Sequence, residues 1–199
     1  VSIVGYSLAL PREDHAYFIR TQHAPPYVLT HKTVVAHNAQ FEYQVMKENG
    51  VILTNLWDTK LAAYVLGYPV TELKALVLQK YGYEMKRLED LTDGFKVPVE
   101  DVDPATLADY GADDAFWTLR LADDLAVELE AAGLTRLYED VELPLIPVLG
   151  DVADPQTPHP QAPHRRRDLQ CHRRAFGLTV TSHPHAVHRA EPEGAEGGL

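Results

Sequence analysis

A long helix that carries two neighbouring aspartates constrains this chain more than any other feature of its sequence. The segment YGADDAFWTLRLADDL occupies residues 110–125, within a helix predicted to start at Asp103-Pro104 and to run to about Ala132. An aspartate at the N-cap followed by proline is a common helix start. Helical spacing places one of the two aspartates inside the apolar stripe formed by Leu107, Tyr110, Asp114, Trp117, Leu121 and Leu125.

The two aspartates therefore receive different predictions. Asp113 lies about 100° further round the helix and is expected to be a surface charge. Asp114 faces inward, where an unpaired carboxylate is costly and needs a partner. Two interpretations stay open for Asp114. It is either a core carboxylate bonded to backbone or to an arginine, or a metal ligand beside the hydroxyl of Tyr110, one turn earlier.

A second carboxylate in a similar setting is Glu42. It follows TVVAHN, residues 33–38, which reads as a short buried strand, and it lies one turn after Asn38. Taken alone, Asn38 is most simply the N-cap of a helix that starts at Ala39, with its side chain accepting from backbone amides. Glu42 lies beside an apolar helix face, as Asp114 does. Two inward carboxylates suit Mg²⁺, which prefers hard oxygen ligands, and paired ions can clamp both oxygens of a phosphodiester displacement.

The order of predicted elements indicates a mixed α/β layer fold. A β-hairpin near the start is followed by alternating strands and helices up to about residue 137. Cys171 is the only cysteine, which excludes an internal disulfide and a thiolate metal cluster. No apolar run approaches the roughly 18 residues that a membrane span needs. We therefore expect a cytoplasmic protein with no membrane partner.

The net charge of −11 narrows the possible contacts with nucleic acid. Binding through a basic surface alone requires clustered lysine and arginine side chains, which an acidic chain of this kind does not favour. An enzyme that reaches phosphates through bound divalent cations is compatible with the charge, because the carboxylate ligands of such a site are themselves acidic.

Three segments resemble a known family of nucleases. HNAQFE, WDTKLAAYVL and YGADDAFWTLRL are similar to the second and third motifs of the Tyr-type DEDD 3′–5′ exonucleases, above all the proofreading domain of family A DNA polymerases of the bacterial DNA polymerase I type. The resemblance covers about residues 1–150. It includes LYEDVELPLIPVL, which resembles the first helix linking such a domain to its polymerase.

The resemblance implies a fold, an activity and partners. The fold would be RNase H-like, with a mixed β-sheet flanked by helices. The activity would be two-metal hydrolysis of single-stranded DNA from its 3′ end, with Mg²⁺ or Mn²⁺ as cofactor and release of dNMP. The partner besides DNA would be a polymerase domain in the same parent chain, in DNA replication and repair.

The resemblance also implies roles for individual residues. Glu42 and Asp114 would bind the metal ions. Tyr110 would orient the attacking water, Asn38 would belong to the same catalytic set, and Phe41 would pack against the terminal nucleotide.

Further predictions concern residues outside that set. Asp58 of the WDT segment starts a helix after a strand and is expected to be structural. Lys86, Arg87 and Lys96 lie in the polar segment 84–100 and are candidates for contacts with the DNA backbone. The alternative for these three cations is that they are simply solvated charges.

The sequence departs from the family pattern in two places within the matching region. The family carries Asp-x-Glu on a first strand, whereas Glu13 and Asp14 are adjacent and would point to opposite faces of a strand. We therefore expect a chain truncated at its N-terminus that lacks its first strand. Glu42 stands where the family usually has aspartate, and one methylene moves a carboxylate by roughly 1 Å, enough to cost about 10²-fold in rate. Activity of this fragment is thus expected to be crippled.

The predicted organisation has three parts. Residues 1–137 form an exonuclease-like domain, residues 138–152 start a linker or polymerase helix, and residues 153–199 form a disordered tail. The tail is rich in Pro, His and Arg, lacks apolar periodicity and resembles translation in a shifted frame.

Two alternative functions stay open. One is a free-standing RNase D-like exonuclease acting on RNA, against which the LYEDVELPLIPVL segment argues. The other is a non-catalytic RNase H-like module that serves structure or holds single strands. The unmatched Asp-x-Glu motif and Glu42 favour this second alternative.

Overall fold

A computed structural model describes residues 3–23 and 32–152, together with the backbone of residues 174–177 and 179–181. Its strands and helices follow the order of a mixed α/β fold, as the sequence predicts.

The chain starts with the predicted β-hairpin. Strands β1 (Ile3–Ala9) and β2 (Ala16–Arg20) pair antiparallel, with Ser7 opposite Phe18. Nearly every residue of β1 is buried, so both faces of this strand are covered by the rest of the protein. The turn between the strands contains residues 11–14, where proline and charged residues predicted it.

A second ladder pairs two strands in parallel. Strand β3 (Thr33–Ala36) is buried at all four positions and pairs with β4 (Leu56–Asp58). Helix α1 (Ala39–Glu48) connects them, because parallel neighbours need a crossover. The buried strand followed directly by a helix places residues 37–42 at the carboxyl end of β3.

Eight further helical elements follow in residues 59–152. Helix α5 (Pro104–Ala131) begins after Asp103, whose carboxylate accepts a hydrogen bond from the Thr106 N–H at 2.9 Å. Proline stands at its first helical position, as predicted. Within the described ranges, no helix combines the length and the apolar composition needed to cross a membrane. The elements are α2 (Thr59–Val65), α3 (Leu73–Tyr81), α4 (Leu88–Leu91), a 3₁₀ turn (Val99–Asp101), α5 (Pro104–Ala131), α6 (Thr135–Leu137), a π-helical turn (Tyr138–Glu142) and α7 (Leu145–Val152).

Helix α5 organises the core because it packs against β1, β2, β3 and α2. Its buried side chains include Leu107, Leu121 and Leu125, three members of the predicted apolar stripe. The segment after α5 is fixed to this core by Tyr138, whose side chain is fully buried. The Tyr138 hydroxyl accepts from the Asp58 N–H at 2.8 Å and donates to the Asp58 carbonyl at 3.0 Å.

Two short strands lie in the part of the chain predicted to be a disordered tail. Strand β5 (Arg174–Gly177) pairs parallel with β1, and β6 (Thr179–Thr181) pairs antiparallel with β3. The sheets therefore have the orders β2-β1-β5 and β4-β3-β6. This pairing was not predicted from the sequence. Two causes fit it: buried strands need hydrogen-bond partners along both edges, and the Thr-Val-Thr sequence has high β-propensity. The remainder of 153–199 lies outside the described residues.

Candidate active site

A cleft of about 560 Å³ opens beside the start of α1, between α3, α4 and the middle of α5. Three of the four predicted catalytic residues line it, together with residues of both charges and a histidine. The lining residues that matter for its chemistry are His37, Glu42, Lys74, Arg87, Tyr110 and Asp114.

Asp114 is the acidic residue on the α5 wall of the cleft. Its side chain is 20% exposed, and one carboxylate oxygen accepts from the Lys74 ammonium at 2.9 Å. Burial raises the pKa of Asp114 above its ordinary value, while the Lys74 charge and hydrogen bonds from Lys74 and Tyr110 lower it. The sequence predicted backbone or an arginine as the partner of a core carboxylate here, whereas the structure shows a lysine from α3.

Glu42 on α1 is more deeply buried, with 5% of its surface exposed. Its Oε2 atom has no hydrogen-bond partner among the described residues. Burial raises the pKa of Glu42 well above its ordinary value, and the negative charge of Asp58 raises it further. Its own backbone N–H lowers it by a smaller amount. A cleft-lining carboxyl with an unsatisfied buried oxygen is a candidate cation ligand, because a cation would supply the missing partner.

The donor atoms of the cleft fit a divalent cation in part. Glu42 and Asp114 offer hard oxygens, and Mg²⁺ in proteins is commonly held by one or two carboxylates plus water and substrate phosphates. In residues 3–23 and 32–152, however, no three His, Cys, Asp or Glu side chains group together as a metal site would require. Glu72 and Glu89 also line the cleft. Glu42, with its unsatisfied buried oxygen, and the inward-facing Asp114 are the residues that would hold an ion, and the described residues fit one cation better than two.

Asp58 has the structural role that the sequence predicts. One of its oxygens accepts from the backbone N–H groups of Asn38 (3.0 Å), Lys60 (2.8 Å) and Leu61 (3.2 Å). The other accepts from the Ala39 N–H at 2.8 Å. A single buried carboxylate therefore caps the N-termini of both α1 and α2. Burial raises the pKa of Asp58, and these four hydrogen bonds lower it.

The predicted side-chain cap by Asn38 is wrong. Asn38 does occupy the N-cap position of α1, but its backbone is left-handed (φ 77°) and its side chain makes no capping hydrogen bond. Asp58 already satisfies the amides at this helix start, so the Asn38 side chain is not needed there. It is exposed, its oxygen lies 3.5 Å from the Lys60 ammonium, and it is not among the residues that line the cleft.

The structure separates the predicted substrate-binding residues. Arg87 lines the cleft. Phe41 is partly buried and packs against the core cluster that surrounds β3 and α1. Two other predicted cations lie at the surface beside acidic neighbours: Lys86 at 3.9 Å from Asp109, and Lys96 at 3.0 Å from Asp93.

Four cleft residues that can be charged were not predicted from the sequence: His37, Glu72, Lys74 and Glu89. Burial, helped by the Lys60 charge, lowers the pKa of His37 to about 3, so its ring is neutral at physiological pH. His37 is the first residue of the HNAQFE motif, directly before Asn38, and this position could have marked it as a residue of the site. Lys74 gave no such signal, because its contact with Asp114 joins residues 40 positions apart.

Replacing Glu42 with glutamine should change the pH dependence of stability. The folded-state pKa of Glu42 is raised above its ordinary value of 4.5. Glu42 therefore costs the wild type no stability below pH 4.5, and the free energy of unfolding falls as pH rises through the folded-state pKa. Glutamine keeps the shape without the charge. In EDTA, we expect Glu42→Gln to raise the free energy of unfolding by about 1 kcal/mol at pH 8 and to have little effect at pH 4.5.

The control for that measurement is Glu128→Gln. Hydrogen bonds from Lys80 and Tyr68 lower the pKa of Glu128 despite some burial, so its contribution has the opposite sign and is present at neutral pH. Chemical denaturation of the three proteins at both pH values separates the two cases. An equal effect of Glu42→Gln at pH 4.5 and pH 8 would contradict a raised pKa.

Comparison with known proteins identifies the family. A sequence model described as 3′–5′ exonuclease matches residues 3–130. The chain is 39% identical over 179 residues to DNA polymerase I of Chloroflexus aurantiacus, covering 75% of this chain and 18% of that protein. It is 34% identical over 126 residues to DNA polymerase I of Treponema pallidum, covering 59% and 12%. The chain thus spans less than a fifth of the length of either relative.

Solved structures agree on the fold. Brucella melitensis NrnC superposes with a TM-score of 0.57 at 21% identity, covering 69% of each chain. A second NrnC structure, bound to pGG, gives a TM-score of 0.56 at 19% identity and covers 75% of this chain and 81% of that one. These nucleases confirm the predicted RNase H-like α/β fold. Because the family match spans well over half of the sequence, the chain belongs to the 3′–5′ exonuclease family of family A DNA polymerases.

Proposed function

We propose that this chain is a proofreading-type exonuclease domain that hydrolyses single-stranded DNA from its 3′ end with the help of divalent cations. The observation that carries the proposal is the convergence of Glu42, Tyr110 and Asp114 on one cleft. Support for the cation comes from the unsatisfied buried oxygen of Glu42. The structural relatives point the same way, since NrnC has been solved with bound Mg²⁺ and with pGG.

Each of the polar residues in the cleft would have a different role in hydrolysis. Glu42 and Asp114 would hold the cation, which when bound would neutralise phosphate charge and activate water. Tyr110, hydrogen-bonded to Asp114, would orient the attacking water with its hydroxyl. Arg87 on the cleft wall offers a fixed positive charge to the DNA backbone. His37 is neutral and would contribute as a hydrogen-bonding group rather than as a charge.

We propose further that the 199-residue chain is a weak enzyme. The two-metal mechanism needs ligands on both sides of the scissile phosphate. Four acidic residues line the cleft, Glu42, Glu72, Glu89 and Asp114, but among the described residues no three potential ligands group closely enough to hold an ion together. The extra methylene of Glu42 adds a positional penalty relative to the aspartate expected there. A domain with this incomplete ligand set would still bind DNA and a cation, but it would hydrolyse the DNA slowly.

Asp114→Ala tests the proposed activity. We expect slow release of dNMP from a 3′-labelled single-stranded oligonucleotide, dependent on Mg²⁺ or Mn²⁺ and abolished by EDTA. In Asp114→Ala the rate should fall at least about tenfold, because the cation loses a ligand. The matched control is Asp113→Ala, since this neighbouring carboxylate lies outside the cleft and accepts from the Tyr83 hydroxyl at 3.0 Å.

The outcome also separates the proposal from its alternatives. Equal rates for Asp114→Ala and Asp113→Ala would reject the assigned site. DNA binding without any cation-dependent hydrolysis would favour the non-catalytic module, which the absence of a three-ligand cluster in residues 3–23 and 32–152 also favours. Faster hydrolysis of a matched RNA oligonucleotide would favour the exoribonuclease alternative.

A polymerase domain in the same parent chain is part of the proposal. The relatives are whole DNA polymerases I, of which the aligned region is a small part. Helix α7 presents an exposed apolar face that includes Leu145, Val148 and Leu149, consistent with a neighbouring domain. A cytoplasmic location is proposed on the same grounds, together with the single cysteine in the sequence.

A further inference from the structure

Lys74 contacts two of the residues assigned to catalysis at once. It lies on α3, across the cleft from α5, and its side chain is 24% exposed. Its ammonium donates to the Asp114 carboxylate at 2.9 Å and lies 4.6 Å from the centre of the Tyr110 ring. One flexible side chain therefore contacts both the Asp114 carboxylate and the face of the Tyr110 ring, which lie one turn apart on α5.

This contact competes with cation binding. The Asp114 oxygen that accepts from Lys74 is an oxygen that a divalent cation would need. An ammonium left beside that cation would be strongly repelled, because two positive charges a few ångströms apart in a partly buried cleft are only weakly screened. A lysine side chain can avoid this repulsion by moving its ammonium away, because the charge lies at the end of a flexible four-carbon stem. Cation binding would thus turn the ammonium away from Asp114 but leave it on the cleft wall.

We propose, building on the function proposed above, that Lys74 is a displaceable counter-ion and a positioning residue for substrate. Without a cation it neutralises Asp114. When a cation binds, the released ammonium faces the cleft beside Tyr110 and attracts a phosphate group of the incoming strand. Lys74 therefore weakens cation binding in the free protein and strengthens single-stranded DNA binding once the cation is present.

The same helix supplies a matched control. Lys80 forms an ion pair with Glu128 and lies 5.9 Å from the centre of the Tyr68 ring, so its contacts repeat those of Lys74. Lys80 is not among the residues that line the cleft. A general effect of removing a lysine from α3 would appear in both variants, whereas the proposed role concerns Lys74 alone.

The test compares Lys74→Met, Lys74→Gln, Lys74→Arg and Lys80→Met in the full 199-residue chain. Mn²⁺ affinity is measured from the electron paramagnetic resonance signal of the free ion. Affinity for a 5′-fluorescein single-stranded oligonucleotide is measured by anisotropy in saturating Mn²⁺. We expect both Lys74→Met and Lys74→Gln to bind Mn²⁺ roughly tenfold more tightly and to bind the oligonucleotide several-fold more weakly. Lys74→Arg keeps the charge and Lys80→Met keeps the cleft, so neither should show this reversal.

The possible results are distinguishable. If Asp114→Asn abolishes Mn²⁺ binding and both neutral Lys74 variants match the wild type, the Lys74 inference is overturned and the cation site stands. If Mn²⁺ affinity rises but DNA affinity is unchanged, the substrate-positioning role is overturned. If neither the wild type nor Lys74→Met binds Mn²⁺, the inference and the proposed function both fail. Equal changes of Mn²⁺ and DNA affinity in Lys80→Met would show that the effect comes from removing any positive charge from α3, and would overturn the specific role of Lys74.

Discussion

Asp58→Ala is expected to lower the free energy of unfolding by about 4 kcal/mol. The Asp58 side chain is buried and accepts four backbone hydrogen bonds, which cap α1 and α2 together. Alanine would leave four amides without their acceptor at the carboxyl ends of β3 and β4. An unsatisfied buried donor costs about 1–3 kcal/mol. Water can reach the partly buried amides of Asn38, Lys60 and Leu61, which recovers some of the loss.

A suitable control is Asp103→Ala. Asp103 is also an N-cap aspartate, but it caps α5 alone and its carboxylate is exposed, accepting from the N–H and hydroxyl of Thr106. The two variants remove the same group from a double buried cap and a single exposed cap. Urea denaturation followed by circular dichroism should show a much smaller loss for Asp103→Ala. Similar losses in both variants would mean that Asp58 is an ordinary helix cap.

Much of the fold could be predicted because it depends on local sequence signals. The N-cap and proline at Asp103-Pro104 fixed the start of α5, and the apolar stripe fixed which side of α5 is buried. A continuous apolar run predicted β3 as a buried strand, and its abrupt change to helical periodicity predicted α1. These signals lie within about one helix turn of the features that they determine.

The parts that could not be predicted depend on contacts between distant residues. Asp58 takes over the capping role assigned to Asn38, from a position 20 residues later. The partner of Asp114 is 40 residues away on α3. The pairing of β5 and β6 with β1 and β3 depends on the edges that those strands present, which no local pattern in residues 174–181 reveals. Side-chain chemistry identified Glu42 and Asp114 among the acidic residues of the cleft, and tertiary structure decided the partner of Asp114.

Gly111→Ala gives the second large effect, and two physical principles predict opposite signs for it. Gly111 lies in the interior of α5, directly after Tyr110, where alanine would ordinarily stabilise a helix by about 1 kcal/mol. A β-carbon at this position would, however, lie 2.3 Å from Oγ of Ser7 and 3.1 Å from the Phe18 ring. Overpacking of this kind typically costs about 1–3 kcal/mol.

We expect the steric cost to exceed the helical gain, giving a net loss of about 1–2 kcal/mol in the free energy of unfolding. Ser7 is completely buried on β1, so relief requires its hydroxyl to turn or the strand to move away from α5. Such a movement would also shift the helix turn that carries Tyr110 and Asp114. A stability gain in Gly111→Ala would show that helix propensity governs this position and that β1 and α5 are less tightly packed than the 2.3 Å approach requires.

A double-mutant cycle with Ser7→Ala isolates the contact. The hydroxyl that it removes has no hydrogen-bond partner among the described residues, so Ser7→Ala alone should change stability little. In the Gly111→Ala background the same substitution removes the 2.3 Å contact and should restore most of the lost stability. The remaining approach to Phe18 at 3.1 Å is tight but tolerable if the ring moves slightly. Additive effects of the two substitutions, measured by urea denaturation, would show that the loss arises elsewhere in α5. Strong coupling would establish Gly111 as the residue that allows α5 to approach β1.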